Sequence, residues 1–179
     1  MLRGCARVRV HGYYPPSGIP APATVNIVGD ARPEIVFPGN DGYIYAYAPD
    51  GKRLWRYDFG KGAAKTFASE VAIGDLNKDG APEIIFGTYS LEKNGGHLVV
   101  LANTGALLFD LVLPGQGEDG NGIGVPAAPT LADLDGDGQL EILVQSFDHG
   151  IDVFTAPGSG LACTPWPTAR GSARRTGQP

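Results

Sequence analysis

Two stretches of this chain repeat one another, and that repetition constrains the fold more than any other feature. "SEVAIGDLNKDGAPEIIFGT" (residues 69–88) and "APTLADLDGDGQLEILVQS" (residues 128–146) each run strand, acidic loop with glycine, glutamate, strand. "ATVNIVGDARPEIVFPG" (residues 23–39) reads as the same unit with its loop shortened. The three glutamates, Glu34, Glu83 and Glu141, stand 49 and 58 residues apart. A period of that size marks a repeat architecture, and the variation falls in connecting loops, where repeats ordinarily diverge.

The residues after each glutamate also share a pattern: a turn, a strand of alternating character, then a hairpin turn. The three versions are "GYIYAYAPDGKRLWRYDFG", "GHLVVLANTGALLFDLVLPG" and "GIDVFTAPGSG". In "YIYAYA", Tyr43, Tyr45 and Tyr47 fall on one strand face and Ile44, Ala46 and Ala48 on the other. "PDGK" and "NTGA" carry hairpin-turn chemistry, and the 27 glycines and 15 prolines lie between short apolar runs, as many tight turns require. Each unit therefore predicts four short antiparallel strands in about 50–60 residues, the pattern of one β-propeller blade. The third unit lacks an obvious fourth strand.

The expected class is all-β: about three blades of a propeller that is incomplete or completed by an oligomer. The expected divisions are an N-terminal arm (1–22) able to supply an extra strand, a first blade with a degenerate loop (23–62), a second with a cation loop (63–115), a third with a cation loop (116–160), and a basic Trp-Pro tail (161–179).

The loops carry the chemistry. Asp133, Asp135, Asp137 and Glu141 hold positions 1, 3, 5 and 9 of a nine-residue loop, with Gly138 at position 6. Asp75, Asn77, Asp79 and Glu83 hold the same positions in the second unit, with Gly80 at the sixth. Alternate oxygen side chains around a sharp turn can converge on one hard cation, and the backbone carbonyl at position 7, from Ala81 or Gln139, would supplement them. A flexible cage of protein oxygens suits calcium better than magnesium, which keeps more of its waters. An EF-hand is excluded: the position of its bidentate glutamate is taken by Phe86 and Val144, and strands stand where its helices belong. A bare acidic turn is the plain alternative, yet two equivalent copies, each closed by a glutamate, would leave clustered carboxylates uncompensated. The first unit keeps only Asp30 and Glu34, so no ion is expected there.

Charge and composition exclude other partners. All 19 acidic residues fall between Asp30 and Asp152, a segment with only 8 Lys or Arg, giving a net charge of −11 there that repels nucleic acid. No run approaches the ~18 apolar residues of a membrane span, and arginines occupy "MLRGCARVRVHGYYPP" where a signal peptide needs its apolar segment, so this chain is expected to carry neither. Cys5 and Cys163 could pair only if the termini meet; "ARVRVHGYY" as the missing strand of the last blade would bring them together. His11, His97 and His149 form no spaced cluster, and His97 and His149 occupy equivalent turns, which reads as a structural or solvated role. "GQGEDGNGIG" lacks a phosphate-loop lysine and reads as a long inter-blade connection; its length makes it either a binding surface or a loose linker. The tyrosine stripe and Trp55 could stack on sugars but read as packing, and no spacing singles out Asp148 with Asp152. No catalytic constellation is present, so the chain is not expected to be an enzyme.

"IGDLNKDGAPEIIFGT", "PTLADLDGDGQLEILVQS" and the weaker "IVGDARPEIVFPG" resemble the FG-GAP, or integrin-α-like, β-propeller repeats, also known in bacteria as VCBS-type repeats, over about residues 23–158. The tail "PWPTARGSARRTG" is similar to the Trp-Pro, arginine-rich ends of such bacterial propellers. The resemblance implies two calcium sites, at Asp75, Asn77, Asp79 and Glu83 and at Asp133, Asp135, Asp137 and Glu141, with glutamate at position 9 in place of the commoner aspartate. It further implies a non-catalytic, extracellular or cell-surface adhesion module that binds a protein or glycan. A fragment of a secreted propeller-based enzyme such as a polysaccharide lyase is the alternative. The family's propellers close with about seven blades, so an arc this short implies self-association or further blades in a longer chain.

Overall fold

The computed structural model describes residues 20–30, 32–63, 65–90, 96–113, 123–147, 150–159 and 167–168. Their strands form three antiparallel sheets, and no helix occurs among the described residues. The first sheet is β1 (Ala23–Val25), β2 (Glu34–Pro38), β3 (Tyr43–Tyr47) and β4 (Arg53–Asp58), in that order. In the second, β5 (Phe67–Ala68) and β6 (Ala72–Gly74) both pair with β7 (Glu83–Tyr89), which leads to β8 (His97–Leu101) and β9 (Leu107–Val112). The third holds β10 (Thr130–Ala132), β11 (Leu140–Ser146) and β12 (Gly150–Ala156), with no fourth strand among the described residues.

Register ties the units together. Val25 pairs with Glu34, Gly74 with Glu83 and Ala132 with Glu141, so all three loops have the same length. The expected shortening of the first loop is therefore wrong: it keeps its nine residues, Asn26 to Glu34, and differs only in residue type. Both expected hairpins close at a left-handed glycine. Gly51 has φ 86° and donates to Ala48 O at 2.9 Å, and Gly105 has φ 81° and donates to Ala102 O at 2.9 Å. A left-handed φ costs a side chain with a Cβ, which explains glycine at both turns.

The second sheet is the middle layer. Its Ile73, Ile84, Phe86, Val99 and Leu101 pack with Val36, Ile44 and Ala46 of the first sheet. From its other face Ala72, Ile85, Leu98 and Val100 pack with Leu131, Ile142 and Val144 of the third. Because neighbours cover both faces, β7 is buried at every position and shows none of the alternation of a half-exposed strand. The strands farthest from β6 and β10 stay open, with Phe109, Val112, Ile151 and Val153 at least half exposed. The tyrosine stripe of β3 lies on the outer face of the first sheet, where Phe37 stacks against Tyr45 and Tyr47 at 5.7 and 5.9 Å. That is packing among the aromatics themselves, as the sequence suggests.

Residues 123–125 bridge the second and third sheets. Val125 N donates to Thr88 O at 3.0 Å, and Phe147 N donates to Gly124 O at 3.0 Å. Gly124 (φ 98°) sits so close to the neighbouring backbone that a Cβ there would lie 2.4 Å from Thr88 O. At the far side of the third sheet Leu131 N donates to Pro167 O at 2.7 Å, so this part of the tail lines the free edge of β10. Cys5, Cys163, His11, Asp148, His149 and nearly all of the N-terminal arm and of "GQGEDGNGIG" lie outside the described residues.

Candidate metal centre

All three glutamates are buried and do the same local work. Each opens the second strand of its unit, and its carboxylate accepts from the backbone of the loop that precedes it. Glu34 Oε2 accepts from Ile27 N at 2.8 Å and Val28 N at 3.3 Å; Glu83 Oε2 accepts from Leu76 N at 2.6 Å; Glu141 Oε2 accepts from Leu134 N at 2.8 Å. These acceptors satisfy loop donors that would otherwise be stranded against the core.

Two residues per loop set its path. Position 4 is left-handed in all three, at Gly29 (φ 82°), Lys78 (φ 60°) and Gly136 (φ 80°), and position 6 is left-handed at Gly80 (φ 85°) and Gly138 (φ 83°). The first residue of each loop then closes it through side-chain-to-backbone bonds. Asp75 accepts from Asp79 N at 3.2 Å and Gly80 N at 2.8 Å, Asp133 from Gly136 N at 2.7 Å and Gly138 N at 3.0 Å, and Asn26 from Gly29 N at 2.7 Å. Asn26 is thus the counterpart of Asp75 and Asp133, a match hidden while the first loop is read as short.

The two acidic loops are not electrostatically equivalent. In the third unit, carboxylate oxygens of Asp133, Asp135 and Glu141 lie within 4.8 Å of one another. Three converging carboxylates repel one another unless a cation joins them, and an all-oxygen set is what a hard divalent ion takes, so these residues fit calcium. In the second unit position 3 is Asn77, whose amide nitrogen donates to Asp79 Oδ2 at 3.0 Å and Glu83 Oε1 at 3.3 Å. That amide supplies some of the compensation an ion would give. Burial, reinforced by the negative charges of Asp79 and Asp75, still holds the Glu83 carboxyl above its ordinary range despite the Leu76 N–H bond.

Of the remaining expected ligands, Asp137 accepts from Gln139 N at 2.7 Å and Gln139 Nε2 at 2.8 Å, and Gln139 Oε1 accepts from Gly158 N at 3.0 Å. Ala81 N donates to Asp79 Oδ1 at 2.8 Å, so position 7 in both loops is tied through its own N–H to position 5. In the first loop Asp30 is occupied by Arg32, whose backbone N–H and guanidinium it accepts at 2.8 and 3.3 Å.

A second polar cluster lies at the opposite strand ends, between the first and second sheets. Asp110 Oδ2 is 2.8 Å from Lys61 Nζ, and its Oδ1 is 2.6 Å from His97 Nδ1. Burial pushes the Asp110 carboxyl up, but the bonds and charges of Lys61 and His97 outweigh it and hold the group below its ordinary value. Hairpin register alone brings His97 and Asp110 together, since His97 pairs with Val112 and Val99 with Asp110. Lys61, 49 residues from Asp110, gave no such signal.

No protein-family model matches the chain, and no curated protein matches it. Among solved structures, that of the V. cholerae biofilm matrix protein Bap1 is similar over 79% of this chain, at 23% identity and a TM-score of 0.44. The match covers 25% of that protein, so this chain spans about a quarter of its length. A likeness this loose assigns neither fold nor function.

Proposed function

We propose that the chain is a non-catalytic, calcium-binding arc of β-propeller blades that serves as an extracellular or cell-surface binding module. The observation that carries this reading is the convergence of Asp133, Asp135 and Glu141 in a loop whose backbone path recurs at Asp75 to Glu83. Calcium would join carboxylates that otherwise repel, and would fix a loop between the first two strands of its blade at less conformational cost. The third-unit loop is the stronger site, because it brings three carboxylates together where the second places the uncharged Asn77 at position 3. Open oxygen loops of this kind in extracellular modules bind calcium at about 10⁻⁴ to 10⁻³ M, a range filled outside cells. The three sheets, each packing on the next, support the blade reading, as do the half-buried apolar outer face of the first and the exposed apolar residues Ile151 and Val153 of the third, which neighbouring blades would cover.

The test is thermal unfolding with millimolar calcium and with chelator, repeated on Asp135→Ala. A calcium-dependent rise in melting temperature that Asp135→Ala largely removes supports the proposal. A melt indifferent to calcium overturns it.

A further inference from the structure

The cleft around Asp110 encloses about 200 Å³ between the first and second sheets. Its lining includes Tyr57, Lys61, Thr66, Thr88, His97 and Asp110. It stands apart from the acidic loops: His97 pairs with Thr88 near the end of β7, whereas Glu83 begins that strand beside its loop.

Lys61 is built into this cleft at a conformational cost. Its backbone is left-handed (φ 47°), a region a lysine rarely adopts, and its N–H is held by Asp58 Oδ1 at 2.7 Å. In that conformation its ammonium meets Asp110 across the gap between the sheets. One wall is therefore the Asp110 carboxylate, met by the Lys61 ammonium and by a ring nitrogen of His97, and Tyr57 lines the cleft beside it.

We propose that this cleft binds a neutral polyhydroxylated ring, a single hexose unit of a glycan. The choice rests on the charges. An anionic ligand would meet the Asp110 carboxylate, a cationic one would meet Lys61, and an apolar one would strand both without water. A ring with adjacent hydroxyls satisfies both, one oxygen donating to Asp110 and its neighbour accepting from Lys61, while its C–H face lies on the Tyr57 ring. The volume suits one ring, being below the 300 Å³ or so at which drug-sized ligand sites begin. The inference rests on the reading of the chain as a binding module and locates its ligand away from the metal loops.

The experiment is calorimetric titration of the full chain, in calcium, with the methyl glycosides of glucose, galactose and mannose. At least one is expected to bind, and Asp110→Asn and Lys61→Met each to weaken it by roughly tenfold, the loss of one good hydrogen bond. Should Asp110→Asn loosen the sheets, Lys61→Met decides, since it removes the ammonium from a side chain that is 62% exposed and keeps most of its apolar stem. Binding equal in both variants, or none by the unaltered chain, overturns the inference. Melting in calcium and chelator is read on the same samples. A calcium-dependent melt without glycoside binding sinks this inference alone, and glycoside binding with a calcium-indifferent melt sinks only the metal reading.

Discussion

Glu34 separates what the glutamate does from what an ion does. It is 1% exposed and accepts two loop N–H groups, yet its loop offers no convergent carboxylates. Glu34→Ala should therefore cost about 2–4 kcal/mol, from an orphaned donor and a cavity, and the cost should be identical with and without calcium in urea unfolding. Glu141→Ala removes the same kind of bond but should also abolish the calcium increment of the third-unit loop. Lys78 offers a test of opposite sign. It is the one non-glycine among the three left-handed fourth positions, so Lys78→Gly should raise stability by about 0.5–1 kcal/mol, read as a higher melting temperature. The alternating oxygens and the closing glutamates were legible in the sequence because their spacing is rigid. Asn26 was not, because Val28 replaces the acid at the third position of its loop and only strand pairing fixes its place.

At the scale of strands, alternation predicted β3 well, since Ile44 and Ala46 go to the core and the tyrosines to the outer face. The break between β5 and β6 left no such trace. It arises where Ser69 binds Gly87 twice, accepting from its N–H at 3.0 Å through the hydroxyl and donating to its carbonyl at 2.9 Å through the backbone. Gly87 also has no room for a side chain, for a Cβ would lie 2.5 Å from Val125. Gly87→Ala should force the second and third sheets apart locally and cost about 1–3 kcal/mol, with faster amide exchange along 123–125 but not in the first sheet. The Asp110 cluster adds a pH dependence with a definite sign. Its folded-state pKa lies below the ordinary 3.8, so its contribution is complete above that value and is lost as pH falls through the lower folded value. The stability gap between the unaltered chain and Asp110→Asn should therefore narrow as the pH is taken down below 3.8. A gap unchanged over that range would show that Asp110 gains nothing from its charge.

For the whole molecule, the register that aligns the units also identifies what its outer faces lack. Counting from the glutamates, Ile35 and Phe37 of the first sheet correspond to Ile84 and Phe86 of the second, and Leu143 of the third corresponds to Ile85. Ile84, Ile85 and Phe86 are fully buried because a sheet covers each face of β7, whereas Ile35, Phe37 and Leu143 are only half-buried and Ile151 and Val153 are exposed. The two outer faces are thus halves of the kind of contact that the middle sheet completes twice. The part of them left in water forfeits apolar burial worth ~25 cal/mol per Å², which is the drive for a further sheet or a second copy to cover them. The isolated chain should accordingly associate as its concentration rises, with light-scattering masses above 18.7 kDa. Val153→Asp with Phe37→Asp should return it to monomer mass with the three sheets still packed, since both side chains lie outside the two clusters that hold the sheets together, at the cost of a lower melting temperature from the lost stacking of Phe37 on Tyr45 and Tyr47. A single mass of 18.7 kDa at every concentration would show that these faces do not drive association.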